Sequence, residues 1–494
     1  MLKKFLSVAL LVLLVGVFFI SAAYAEVTFN YGASERIRQE IWDNLADLKT
    51  MKPTNSSYDR NYFRFRTSLW GSADFNKDTG VYLKVTNEFK YNLGPYKQPS
   101  DPLSKVNDYV RLDEDELVFD NLYVKANNIF GLPVDLKIGR QDFLGPDMYG
   151  EGFLILDGTP GDGSRTFYFN AAKAKWRLNQ NNNIDFVYIS SQERDTYMPV
   201  WHTSVPNAGT YFDNKKILNA SDEQGFVVYS RNKLSENLTL EPYYIFKKED
   251  EFQFPFGTAK PASITPELDL NTLGSRAVYT SGPWTVGGEF AYQFGEYDGD
   301  KGDPKYFYNK TDQKGYAGED REGYGGYIFG KRKFADMKLK PELELRFVYL
   351  SGDDPDSDKN EDWDPLFSRN PSWNELIIYT QPNETIKEGY AIPGYWTNLQ
   401  LFMAKVSMEL TPDTKLSISY QYLRSNEKAN PLAGQSAMFD DGKEKGHLPT
   451  LFISHKFSKN IDAFFQYEYF IPGDFYADNA KNGQFLRWQL QFKI

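Results

Sequence analysis

Arg36 and Arg38, and again Arg64 and Arg66, are spaced by two residues. In an extended strand that spacing puts both side chains of a pair on one face. A guanidinium stays charged and grips a carboxylate through two parallel hydrogen bonds, so such a face can hold a carboxylated solute. Arg346 and Arg487 carry the same chemistry, while Lys493 and the stripe Lys173, Lys175 and Arg177 add further positive charge. Carboxylates of matching phase are Glu40, Glu88, Glu289, Glu342, Glu344 and Glu468. They would shorten the stay of a bound anion by competing with it for the guanidinium groups. The competing arrangement is that arginines and glutamates of facing strands pair with one another and merely hydrate a wall. For the cluster Arg36, Arg38, Arg64 and Arg66, with Glu40 as its one nearby acid, a surplus of positive charge is expected.

Other chemistries find little support. His202 and His447 fall in expected loops, and His455 shares an apolar phase with Leu451 and Ile453. No Ser/His/Asp grouping can be assembled from them, so catalysis is not expected. The chain has no cysteine, hence no disulfide framework and no thiolate metal site. Asp354, Asp356 and Asp358, and separately Asp298, Asp300 and Asp303, have a spacing that Ca²⁺ tolerates. The first run lacks the glycine and distal glutamate of an EF-hand, so solvated acidic loops are expected and no metal or cofactor is assigned.

Segments of two-residue periodicity must position these groups. Leu486, Trp488, Leu490, Phe492 and Ile494 alternate with Arg487, Gln489, Gln491 and Lys493. Phe63, Phe65 and Leu69 alternate with Arg64, Arg66 and Ser68, and Val81, Leu83, Val85 and Phe89 with Lys84, Thr86 and Glu88. A strand wet on one face and oily on the other needs this period. Glu35 and Gln39 break it on the oily phase, and the run 226–229 shows no phase at all. Short gaps (75–80, 127–133, 179–183, 232–238, 281–284, 331–340, 411–414, 458–462) alternate with long ones (43–60, 93–115, 142–164, 193–221, 250–270, 297–320, 351–394, 424–446, 471–482). About 18 strands, with loop length sorted by parity, describe an all-β fold: a transmembrane antiparallel barrel with short periplasmic turns and long extracellular loops. A barrel of that size leaves an aqueous channel rather than a packed core.

Composition agrees. Lys3 and Lys4, an apolar run and Ala23-Tyr24-Ala25 read as a signal peptide over 1–25, leaving 26–494 as one barrel domain. Beyond the leader no apolar run reaches the length of a helical span. Aromatics reach 16%, as interfacial girdles require. The net charge of −11 excludes a nucleic-acid partner. The expected surroundings are the lipid bilayer and lipopolysaccharide of the outer membrane of a Gram-negative-type bacterium.

The segments RIRQEIWDN (36–44), IGRQ (138–141), LDGTPGDGSR (156–165), YLSGD (349–353), WDPLF (363–367) and EYFIPGDFY (468–476) together resemble the outer-membrane alginate export family over nearly the whole mature chain. The resemblance implies a monomeric barrel passing alginate, an anionic polysaccharide, through an electropositive constriction. It implies that Arg36, Arg38, Arg140, Arg165 and Arg487 take part, with Arg140 and Arg165 at the mouth, where the glycine-rich third loop (142–164) could fold inward. By strict alternation Arg140 shares the phase of Leu136 and Ile138, so an inward role would require the strand to end or bulge there. The apolar last strand resembles the signal read by barrel-assembly machinery. One departure is that the turn at 458–462 is too short to form the periplasmic plug of the family's exporter. A general or differently selective porin for small anionic solutes is the alternative reading.

Overall fold

The structure is a computed structural model that describes residues 27–45, 48, 60–93, 116–152, 169–202, 212–213, 221–254, 263–309, 314–354, 356–367, 373–375, 397–429 and 439–494. The expected signal peptide at 1–25 lies outside the described residues. Eighteen strands form the barrel wall: β1 (Thr28–Asp43), β2 (Arg60–Asp74), β3 (Thr79–Asn92), β4 (Glu116–Ala126), β5 (Val134–Gln141), β6 (Phe169–Arg177), β7 (Asn182–Ser191), β8 (Glu223–Lys233), β9 (Leu238–Glu249), β10 (Leu268–Ser281), β11 (Trp284–Tyr297), β12 (Asp320–Lys333), β13 (Glu342–Leu350), β14 (Leu399–Thr411), β15 (Thr414–Arg424), β16 (Glu444–Lys456), β17 (Ile461–Pro472) and β18 (Gly483–Lys493). Each pairs antiparallel with its sequence neighbours, and β1 closes the sheet on β18, Ser34 opposite Lys493 through Asp43 opposite Gln484. The expected short connections are all short, the longest spanning 334–341 and another, 127–133, holding a turn of 3-10 helix at Ile129–Gly131. In the first along the chain, the Asn76 side chain accepts from the Asp78 and Thr79 amides at 2.8 and 2.9 Å. The turn between β16 and β17 is short, as its sequence implies.

The outward phase carries the oil. Leu69, Phe290, Ile328, Leu345 and Ile418 are exposed on it, and Phe65 stacks on Phe89 across β2 and β3 at 5.1 Å. The two misfits on β1 are answered by neighbours. Thr67 donates to Glu35, while Trp488 donates its indole N–H to Gln39 at 2.8 Å, which in turn donates to Asn61. His447, expected in a loop, stands on β16, hydrogen-bonded to Tyr420 and packed against the Tyr420 and Tyr422 rings at the outer rim.

The inner face is less wet than alternation suggests. Val227 is 0% exposed while Phe226 is 42% exposed, which gives the run 226–229 its phase: Val227 and Tyr229 point inward. They join Val187, Ile189, Ile245, Leu268 and Leu270 in an apolar core inside the outer half of the barrel. Loops fill it. Phe367 lies so close over Gly225, and Trp363 over Gly325, that a Cβ on either glycine would stand 2.5 Å from the ring. Glycine in a wall strand here makes room for an in-folded aromatic ring. Both rings come from the loop between β13 and β14. Outside the wall, extracellular loops carry small hairpins, Phe252–Phe254 with Ser263–Thr265 and Phe307–Asn309 with Lys314–Gly315. Val200–His202 pairs with Phe212–Asp213 and with the outer end of β4.

Candidate functional site

At the closure of the sheet, register puts like charges face to face: Arg36 opposite Arg66 and Arg38 opposite Arg64. Directly opposed like charges on one face repel, so acids must sit among them. Glu88 on β3, opposite Arg66, is the hub. It accepts from Arg36 at 2.6 Å and from Arg64 Nε at 2.7 Å, and lies 3.6 Å from Arg66. Glu40, opposite Arg487 on β18, holds that residue at 2.9 and 3.0 Å and Arg38 at 3.3 Å. Tyr62 also donates to Glu40, and Arg38 reaches Gln489 at 2.8 and 3.0 Å.

A third acid, Asp120, takes Arg66 at 3.3 Å and Lys84 at 2.6 Å. The sequence reading passed over it. A bulge between Lys84 and Val85 lets both Asp120 and Asn121 of β4 turn inward and be buried, against strict alternation. Glu40 is therefore not the lone local acid, and that expectation is corrected. The described wall gathers Arg36, Arg38, Arg64, Arg66, Arg487 and Lys84 around Glu40, Glu88 and Asp120, so that cations still outnumber acids, but by a smaller ratio than the four arginines and one glutamate of the local sequence imply.

Two loops reach this inner face and bring carboxylates to it. Glu375, from the loop after β13, binds Arg487 with both oxygens at 2.5 and 3.2 Å, and its amide donates to Glu468. The loop after β5 crosses the lumen. Its Asp147 bridges Lys173 at 2.9 Å and Lys137 at 3.2 Å, and its Met148 carbonyl accepts from Arg231. Tyr149 donates to Asp185 and sits against Tyr229. Glu151 grips Arg346 on β13 at 2.6 and 3.3 Å. Burial alone would push the Asp147 carboxyl up, but Lys173 and then Lys137, by charge and hydrogen bond, hold it down at about 2.

Other expected residues fall elsewhere. Arg140 does not join the cluster. It lies opposite Leu122 and Asn170, on the outward phase. Asn170, the Phe119 carbonyl and both oxygens of Asp195 bury it at the barrel's outer end. A bulge-like kink does occur beside it, where Gly139 has a φ of 129° and a Cβ would come within 2.2 Å of the Leu122 carbonyl. Gln141 folds back to cap the Lys137, Gly139 and Ala171 carbonyls. Arg165 lies outside the described residues. In the second basic stripe, Lys173 lies 3.2 Å from Asp185 and Arg177 pairs with Asp135. The acidic loops use their carboxylates as turn caps, Asp303 accepting from the Lys305 amide and Asp354 from the Asp356 amide. Among the described residues no group of three or more His, Cys, Asp and Glu is arranged to hold a metal.

The wall, the loops and the closure are those of an outer-membrane channel. OccAB1 of Acinetobacter baumannii superposes with a TM-score of 0.53 at 11% identity, over 94% of this chain and 96% of that one. OpdK of Pseudomonas aeruginosa, solved with vanillate, gives 0.53 at 10% identity over 94% and 98%. OccK2 (OpdF) of the same organism, in complex with glucuronate, gives 0.52 at 10% over 94% and 98%. At such identity the likeness is one of fold. No curated protein matches the chain in sequence. A family model described as alginate export matches residues 28–484, almost the full length. The chain belongs to the alginate export family.

Proposed function

We propose that this barrel passes an anionic polysaccharide of the polyuronate type along the basic wall at its closure. The observation that carries the reading is the gathering of Arg36, Arg38, Arg64, Arg66 and Arg487 on one stretch of inner face around fewer carboxylates. A uronate carboxylate would exchange places with a protein carboxylate on a guanidinium. The loop residues Glu151 and Glu375 already occupy two arginines in that bidentate manner. Membership of the alginate export family supports the polymer as substrate. Barrels of related shape hold glucuronate and vanillate, which supports carboxylated solutes in general. The second reading, a porin for small anionic solutes, is favoured by the loops folded into the outer half of the lumen, which narrow the path for a polymer.

Recording of single refolded channels in a salt gradient tests the proposal. Wild type should show an anion-selective reversal potential and concentration-dependent block by oligomannuronate. Arg36→Ser combined with Arg38→Ser should lower both together, with the uronate dissociation constant rising about tenfold or more as two charge-assisted contacts are lost. Equal selectivity and equal block in the double variant would remove the wall from the transport path. An unselective pore indifferent to the sugar would favour the small-solute porin.

A further inference from the structure

On the inner face below the arginine wall, Trp70, Tyr82 and Tyr123 occupy neighbouring inward positions of β2, β3 and β4. Their rings are nearly parallel. Trp70 and Tyr82 are tilted by 19° with centroids 6.1 Å apart, Tyr82 and Tyr123 by 17° with centroids 5.1 Å apart. Parallel rings in van der Waals contact lie about 3.5–4 Å apart between planes, so each ring is displaced sideways and the three overlap like shingles. Gly32 on β1 makes room for the first, since a Cβ there would stand 2.5 Å from the Trp70 indole.

These rings differ from the aromatics higher in the barrel. Tyr229 and Tyr243 are closed over, at 1% and 5% exposure, and serve as core under the loops. Trp70, Tyr82 and Tyr123 remain half-buried and reachable from the periplasmic half of the lumen. Lysines alternate with them. Lys84 lies opposite Trp70, Lys125 stands at the rim beside Asp74, and Lys137 sits 4.3 Å over the Tyr123 ring. Each keeps part of its side chain accessible while paired with a carboxylate.

We infer that this staircase is a saccharide subsite at the periplasmic end of the transport path. The axial C–H bonds of a pyranose ring make an apolar face that lies flat on an aromatic ring, where the negative π face meets weakly positive hydrogens. Successive shingled rings provide successive platforms for a chain of sugars. The flanking lysines suit a sugar bearing a carboxylate on every residue. A small anion with no ring face gains nothing from the aromatics, and a single sugar ring gains one platform where a chain of sugars gains several. The inference rests on the polysaccharide reading of the function and adds the element that recognises the sugar ring rather than its charge.

The test is block of single channels by a mannuronate hexamer and, separately, by neutral maltohexaose, in wild type, in Tyr82→Leu/Tyr123→Leu and in Tyr82→Phe/Tyr123→Phe. The leucine pair should weaken hexamer block about tenfold with the salt-gradient reversal potential unchanged. The phenylalanine pair, which keeps the ring faces, should block as wild type does. The unchanged reversal potential shows that the barrel and its arginine wall are intact. Equal hexamer block in wild type and the leucine pair overturns the staircase and leaves the polyuronate channel standing. Loss of block in the phenylalanine pair as in the leucine pair also overturns it. If wild type ignores the hexamer but maltohexaose blocks it, and the leucine pair weakens that block, the staircase stands and the polyuronate reading falls. Block of wild type by neither sugar overturns both.

Discussion

Glu88 illustrates what a single residue does in this wall. It is 1% exposed and shared by Arg36, Arg64 and Arg66. Removing one member of a buried charge network leaves the others uncompensated and costs about 3–5 kcal/mol. Glu88→Gln should therefore lower the temperature at which the barrel loses its compact, heat-modifiable migration in a denaturing gel. The same change removes a negative charge beside three guanidinium groups, so the channel should become more anion-selective. A variant with wild-type migration and an unshifted reversal potential would mean that Glu88 neither braces the wall nor sets its charge. Glu88 was legible as an inward carboxylate from the alternation of β3. Its place as the hub was not, because the partners on β1 and β2 lie 22 to 52 residues away in the chain and meet it only through strand register. Asp120 was illegible altogether, since a bulge reverses the phase on which alternation depends.

At the scale of elements, the loop after β5 decides how open the lumen is. Its docking depends on Asp147 between Lys173 and Lys137. The carboxyl is held at about 2, below its ordinary 3.8. A depressed folded-state value means that the docking contribution is fully present above about pH 4 and is lost as pH falls through the window toward 2. Single-channel conductance should accordingly rise as pH is lowered from 5 to about 2, and Asp147→Asn should show the higher conductance already at neutral pH. If that variant conducts like wild type at neutral pH, another contact, such as Glu151 on Arg346, holds the loop. The sequence marked this stretch as a long outer loop, and only the family resemblance pointed to its folding inward, because a loop's composition by itself does not tell whether it lies outside or folds in. The inward phase of β8 carried the signal in part: Val227 and Tyr229 are apolar where a water-filled lumen would want polar groups, and an apolar inner wall requires something to cover it.

For the whole molecule, closure of β1 on β18 makes the channel. Ile37 and Leu490 lie opposite each other across it. Opposed residues of antiparallel strands have Cα atoms about 4.5–5.5 Å apart, within the range a disulfide bridges. The chain has no native cysteine, so Ile37→Cys with Leu490→Cys should oxidise to a single internal cross-link. That cross-link would change migration in a non-reducing gel, and reductant would reverse it. Absence of the cross-link under oxidising conditions, with each single variant still folded, would contradict this register.

The sequence by itself determined the class of fold, because alternation at period two and the parity of loop lengths are local properties. It also marked the inward arginines Arg36, Arg38, Arg64, Arg66, Arg346 and Arg487, whose phase follows from the same alternation. The tertiary structure decided which charges meet. Arg36 finds Glu88, Arg487 finds Glu40 and Glu375, and Arg346 finds Glu151 through pairings that span from tens to hundreds of residues. It also drew Arg140 away to Asp195 and carried loop aromatics into the lumen. Periodicity tells a side chain which face it takes, whereas its partner on that face depends on register, bulges and the path of loops, which only closure of the barrel brings together.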